Sequence, residues 1–378
     1  MVSTLPASGI RRFFDLVAEM DDVISLGVGE PDFVTPWPVR QAAIASLEKG
    51  RTSYTSNFGL LELREAIAES QAALYGHRYD PRGEILVTVG VSEALDIAFR
   101  ALLDPGDEVL IPEPCYVSYL PCVAFAGGVA VNVPTTAADG FAVRASEIEA
   151  RITERTKAII LSFPTNPTGA TMTREDLQAV VDVAVRHDLY LVSDEIYDRL
   201  SYDAPHVSVP SLSGARERTI LLNGFSKAHA MTGWRIGYAC APAPVIESMM
   251  KVHQYTIMCA PITAQIAAIT ALREGDAAVR TMVADYDRRR RLFVDGLVSI
   301  GLDCPLPGGA FYAFPSIERF GLSAEEFAER LLMEERVLVV PGPVFGAGGI
   351  GHVRCCYATA VDKLQEAVER MGRFVARL

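Results

Sequence analysis

The chain has 378 residues, 50% of them hydrophobic and 22% charged, which is enough to bury a sizeable core and to divide into two domains. With 35 basic against 47 acidic side chains the formal net charge is −12, which repels nucleic acid and anionic membrane, so neither is an expected partner. No apolar run reaches the roughly 18 to 20 residues of a spanning helix, the opening M-V-S-T-L-P-A-S-G-I-R-R has no leader pattern, and the seven scattered cysteines lack any C-x-x-C, which reads as reduced thiols in a cytoplasmic protein.

Residues 10–20 show helical spacing of apolar positions, and Val23 to Leu26 reads as a short extended run. The stretch G-V-G-E-P-D-F-V-T-P-W-P is then a loop whose backbone is free to approach a ligand. Helical spacing resumes at Val39 to Leu47 and at Gly59 to Leu74. From Glu84 short β-branched runs alternate with amphipathic helices. I-L-V-T-V is followed by a helix from Ser92 to about Leu103, then E-V-L-I-P, V-A-V-N-V and A-I-I-L-S-F. A helix over Arg174 to His187 precedes L-Y-L-V-S, T-I-L-L-N and W-R-I-G-Y-A-C. Continuous apolar strands separated by helices predict an α/β fold with a mostly parallel sheet covered on both faces, and ligands in such sheets bind beyond the carboxyl ends of the strands.

After about Glu274 the pattern changes. A long helix over Ala277 to Ile300 leads to P-G-G-A-F-Y-A-F-P, a helix near Ala324 to Glu335, V-L-V-V-P, H-V-R-C-C-Y and a last helix from Val361. This predicts a smaller α+β domain over 276–378, a large domain over 41–275, and an N-terminal arm, 1–40, joining the small one. Arg288 to Arg291 fall inside the long helix and read as a solvated face making i,i+4 pairs. Cys355 and Cys356 read as packing residues. Gly346, Gly348 and Gly351 match G-x-G-x-x-G but lead into a strand, so they fail the context of a dinucleotide site. The six histidines form no metal-spaced pair, and no metal is expected.

Four clusters at predicted strand ends carry chemistry. In N-G-F-S-K-A-H-A-M-T-G-W-R-I-G-Y a single lysine, Lys227, sits among small and apolar residues, a setting suited to a Schiff base with a cofactor aldehyde. Gly90-Val91-Ser92 ends a strand and opens a helix, so free N–H groups there favour a phosphate. Ser92 also reads as a simple helix cap, and the tripeptide leaves both open. Arg235 adds a fixed cation. Asp194, in L-V-S-D-E-I-Y, is an acid after an apolar run and requires a partner, either a pyridinium or an ordinary Lys or Arg. Tyr197, and Asn166 in S-F-P-T-N-P-T-G, are placed to hydrogen-bond a phenolate oxygen.

Together, G-V-G-E-P-D-F-V-T-P, V-S-Y, N-P-T-G, S-D-E-I-Y, S-K-A-H-A-M-T-G-W-R-I-G and R-C-C-Y-A-T resemble the fold-type I, class I/II aminotransferases over about residues 8–376. Within that group the chain is most similar to the bacterial aminotransferase A type linked to N-acetyl-diaminopimelate, with thermophilic aspartate and archaeal aromatic enzymes nearly as close. The resemblance implies pyridoxal 5'-phosphate as cofactor, and it makes Lys227 the Schiff-base lysine and proton shuttle. Asp194 would pair with the ring nitrogen, and Asn166 and Tyr197 with the phenolate oxygen. Val91, Ser92 and Arg235 would bind phosphate, and Tyr54 would reach the phosphate of a neighbouring subunit, which implies a homodimer with shared sites. Tyr116 matches the ring-stacking position. Arg354, helped by Asn166 and the Gly29 backbone, would clamp the substrate α-carboxylate. No counterpart of a distal-carboxylate arginine stands in K-V-H-Q-Y-T-I-M-C-A, which weakens a strict aspartate assignment; Arg11, Arg12 or a mobile arm are the substitutes on offer.

The implied activity is transamination of an L-amino acid, whether acylated diaminopimelate, aromatic or acidic, with 2-oxoglutarate as acceptor. A C-S lyase on the same residues stays open, since only substrate geometry separates the two. A non-catalytic cofactor-binding regulator is the remote alternative.

Overall fold

The computed structural model describes residues 20–378. The helix expected over residues 10–20 lies almost wholly outside them, as do Arg11 and Arg12. In chain order the larger elements are β1 (Ile24–Ser25), α1 (Trp37–Glu48), α2 (Leu61–Tyr75), β2 (Ile85–Thr88), α3 (Gly90–Leu102), β3 (Glu108–Glu113), α4 (Tyr119–Phe125), β4 (Val129–Pro134), α5 (Ala145–Glu149) and β5 (Thr156–Leu161). They continue with α6 (Arg174–Arg186), β6 (Tyr190–Asp194), β7 (Thr219–Gly224), β8 (Gly237–Cys240), α7 (Ala243–Thr256), α8 (Ile262–Glu274) and α9 (Asp276–Ser299). The chain ends with β9 (Tyr312–Ala313), α10 (Ala324–Glu335), β10 (Val337–Leu338), β11 (Val340–Pro341), β12 (Val353–Cys356) and α11 (Val361–Val375).

Seven strands form one sheet in the order β2-β8-β7-β6-β5-β3-β4. All neighbours are parallel except at β8, which runs against both β2 and β7. The reason for burial on both faces is visible in the strands. Every residue of β2, β7 and β8 is buried, because α3, α4 and α7 cover one side while α1, α2 and α8 pack at the β2–β8 end. α3 shows why it docks there: Ala94, Leu95, Ile97, Ala98 and Phe99 lie on its buried face, and a fully buried Leu or Phe contributes about 1.5–3 kcal/mol. The helix α6 starts where Thr173 accepts a hydrogen bond from the Asp176 amide at 3.1 Å.

A separate core gathers Phe293, Phe327, Leu331, Leu364 and Phe374 from α9, α10 and α11. β1 joins it by pairing in parallel with β10, with Ile24 opposite Val337. The V-L-V-V-P run is not one strand. It splits into β10, which pairs with β1, and β11, which pairs with β12, because the two halves face different partners. The helices α4, α5, α7 and α8 have no counterpart in the sequence-based reading; α8 is alanine-rich with a weak apolar stripe, and burial comes from packing on α1 and α2.

The arginine run on α9 corrects the expectation of a solvated face. Arg288 and Arg291 are exposed, but Arg289 is buried and Arg290 is wholly so. The i,i+4 pairs are present, Arg289 with Asp285 and Arg291 with Asp287. Arg290 also donates to Asp203 Oδ2 and to the Pro307 carbonyl, both at 2.6 Å, and Arg289 donates to Asp32 Oδ2 at 2.7 Å. Arg291 also reaches Asp203, at 3.0 Å, so three of the four tie the long helix to the loops around it, including the G-E-P-D loop. No described helix is long and apolar enough to cross a membrane.

Candidate active site

The carboxyl ends of β5, β6 and β7 and the amino end of β8 open on one cavity of about 410 Å³. β8 is antiparallel, so the chain enters it from this same edge and brings Arg235 to the site. Gly29, Val91, Ser92, Tyr116, Asn166, Asp194, Tyr197, Lys227, Arg235 and Arg354 all line the cavity. Two expected residues do not. Gly90 stands behind Arg235: a Cβ there would lie 2.6 Å from the guanidinium Nη2, so the glycine leaves room for that cation to reach the cavity. Tyr54 is 84% exposed and does not line this chain's cavity. Ser92 is not a helix cap. The cap position is Val89, Ser92 is the third residue of α3, and Glu93 Oε2 takes the Val89 amide.

Lys227 Nζ donates to the Gly29 carbonyl at 2.6 Å and lies 5.8 and 5.7 Å from the ring centroids of Tyr197 and Phe311. Burial lowers its ammonium to about 8, with Arg354 and Arg235 acting in the same direction and Cys356 and Glu30 against it. Among the described residues no basic side chain forms an ion pair with Asp194. Its Oδ2 accepts from the Tyr119 hydroxyl at 2.9 Å and its Oδ1 from the Ile196 amide at 3.2 Å. Burial pushes this carboxyl up to about 6, and those two donors oppose the rise.

Arg354, on β12, is buried and held on two sides, by Asn166 Oδ1 at 2.9 Å and the Gly27 carbonyl at 2.5 Å, with its Nε left without a partner. Its guanidinium sits 4.6 Å from the Tyr312 ring centroid. The Tyr197 and Tyr312 hydroxyls are 2.7 Å apart. Tyr116 meets Tyr119 edge-on at 5.6 Å.

Tyr119, Tyr312, Ser226 and Thr232 were not singled out from the sequence. Tyr119 had a signal, since it closes the same C-Y-V-S-Y segment as Tyr116. Tyr312, in G-A-F-Y, had none, because nothing local shows that a short strand from the C-terminal part reaches the sheet edge. Among the described residues no group of three or more His, Cys, Asp or Glu could hold a metal ion.

The donor set fits pyridoxal 5'-phosphate. Asp194 is a buried carboxylate with a phenol and an amide but no cation, which is what a protonated ring nitrogen supplies. Lys227 is a half-buried amine of lowered basicity suited to bonding an aldehyde. The first turn of α3, with Val91, Ser92 and the Arg235 cation, suits a phosphate.

Residues 21–371 match the family described as aminotransferase class I and II. YugH of Bacillus subtilis is 54% identical over 374 residues, covering 99% of this chain and 97% of its own. The aspartate aminotransferase of Pyrococcus abyssi is 48% identical over 97% of this chain and 95% of its own. The crystal structure of the aromatic aminotransferase of Pyrococcus horikoshii superposes with a TM-score of 0.93 at 47% identity, covering 97% of this chain and 99% of that one.

Proposed function

The chain belongs to the class I and II aminotransferases, enzymes that use pyridoxal 5'-phosphate, and from that premise we propose that it moves the amino group of an L-amino acid to 2-oxoglutarate in two half-reactions, in the cytoplasm, as a homodimer. The observation that carries this reading is the convergence of Lys227, Asp194, Asn166, Tyr197, Arg235 and Arg354 on one cavity.

When bound, the cofactor supplies an aldehyde that takes up amines and a cationic ring that stores the electron pair released at Cα. Asp194 keeps that ring protonated. Tyr197 donates to its phenolate oxygen, as does the Asn166 amide, whose oxygen is already taken by Arg354. Arg235, Ser92 and the Val91 amide would hold the phosphate, and Tyr116 would pack against the ring. Lys227 would hold the cofactor through its aldehyde, and its Nζ as a free amine would accept the Cα proton of the substrate. Arg354 and the Gly29 backbone fix the α-carboxylate so that the Cα–H bond faces that amine. Tyr54 completes the phosphate site of the partner subunit, in keeping with its exposure here. The division into an arm (1–40), a large domain (41–275) and a small domain (276–378) belongs to the same reading.

For the donor, the three candidate classes stay acylated diaminopimelate, aromatic and acidic amino acids. Among the described residues Lys227, Arg235 and Arg354 are the lining cations, and each has a role above. This favours an aromatic donor, whose side chain is neutral, over aspartate, and it leaves any distal carboxylate, that of 2-oxoglutarate or of an acylated diaminopimelate, to the arm or the partner. Screening the three classes against 2-oxoglutarate tests the assignment. Turnover with an aromatic donor is expected. No turnover with any class, or pyruvate and ammonia from cystathionine without an oxo acid, would overturn it.

A further inference from the structure

Tyr312 opens β9, is 1% exposed, and touches three parts of the site at once. Its hydroxyl lies 2.7 Å from that of Tyr197, the two rings meeting edge-on at 78°. The Arg354 guanidinium stands over its ring. A Cβ on Gly29 would fall 2.2 Å from its hydroxyl oxygen, so the missing side chain at 29 is what lets the phenol sit there.

Each phenol has one proton to give. If Tyr197 spent its proton on Tyr312, none would remain for the cofactor oxygen, and the Tyr312 proton would have no acceptor among the described residues. The reverse arrangement satisfies both groups. Burial raises both phenols above their ordinary range, and the Arg354 charge opposes that rise at Tyr312 as the second-largest influence, which makes Tyr312 the stronger donor of the two.

We propose that Tyr312 is a positioning residue whose hydroxyl donates to Tyr197 Oη and thereby directs the Tyr197 proton at the phenolate oxygen of the bound cofactor. This rests on the role of Tyr197 proposed above. A chain of two hydrogen bonds polarises its members, so the contact to the cofactor is stronger than a lone phenol would make it.

The test is the pH titration of the visible absorbance of the holoenzyme, which reports the proton on the Lys227 linkage and not turnover. Donation to the phenolate oxygen favours the unprotonated linkage, so losing it moves the midpoint up. Tyr197→Phe is expected to raise the midpoint by about 1–2 pH units, the worth of a hydrogen bond to a charged group. Tyr312→Phe, which keeps the ring under Arg354, is expected to raise it by about 0.1–0.6 unit, the cooperative share of that bond. The double variant should titrate with Tyr197→Phe, because Tyr312 acts only through Tyr197. A Tyr312→Phe midpoint equal to wild type, or a double variant shifted by the full sum, overturns the proposal. An unmoved Tyr197→Phe midpoint overturns the Tyr197 reading first and this one with it. Should Tyr312→Phe not fold, 3-fluorotyrosine at 312 keeps the shape and sharpens the donor; its midpoint must fall below wild type, and an unmoved or raised one overturns the proposal.

Discussion

The Tyr119 hydroxyl donates to Asp194 Oδ2 at 2.9 Å, from a residue 75 positions earlier in the chain, onto a carboxyl that burial alone would drive toward its neutral form. The phenol keeps the acid charged and aimed before any cation arrives. Removing it with Tyr119→Phe raises the Asp194 carboxyl further and weakens its pairing with the ring nitrogen. The expected cost is about 1.5–3 kcal/mol, or roughly 10- to 100-fold in cofactor affinity. Absorbance titration of the apoenzyme with pyridoxal 5'-phosphate measures it, and an unchanged Kd would refute the link.

Lys227 in the apoenzyme should react with amine-directed reagents with a midpoint near pH 8 instead of 10.5. The sign for stability follows. The folded state holds its lysine proton less tightly than the unfolded chain, so between about 8 and 10.5 the unfolded chain binds more protons and apoenzyme stability rises with pH. Lys227→Met should flatten that rise in denaturant melts across the window. A labelling midpoint at the ordinary lysine value would count against a desolvated amine of lowered basicity.

Arg354→Lys keeps a positive charge but loses the planar fork that Gly27 and Asn166 hold in place. Cofactor absorbance should persist while kcat/KM falls by about 10²-fold for donor and acceptor alike, since both carry an α-carboxylate. An effect confined to one of the two substrates would place Arg354 elsewhere.

Tyr54, at 84% exposure, is a test of shared sites. Lys227→Ala and Tyr54→Ala dimers should each be impaired. Mixed dimers pair an intact Tyr54 from one chain with an intact Lys227 from the other, so one whole site returns. Activity of the mixture above that of either parent is expected; none would show that Tyr54 serves its own chain or no site.

Arg290→Ala removes a fully buried side chain bonded to Asp203, Asp287 and the Pro307 carbonyl. Asp203 and Asp287 keep contact with water and are rehydrated, so the loss comes mainly from packing and the unpaired carbonyl. About 2–4 kcal/mol is expected from denaturant midpoints. The exposed neighbour Arg288→Ala should change stability by less than about 0.5 kcal/mol. Equal costs would mean that the run behaves as one solvated face.

The alternation of apolar strands with amphipathic helices was legible from residues alone, because strand and helix periodicity are local properties of the chain. So was the placing of Asp194, Asn166 and Lys227 at or just beyond strand ends, where a parallel sheet presents its ligands. The roles proposed for them came from the motifs around them. Tertiary structure alone decided what each group touches. Lys227 meets Gly29 across 198 positions, Arg354 meets Asn166 across 188, and Tyr197 meets Tyr312 across 115. It also decided that Arg290 is buried and Ser92 lies inside α3 instead of capping it. The physical reason is the same in each case: a side chain's partner and its exposure are set by the element packed opposite, and no local pattern in 378 residues names that element.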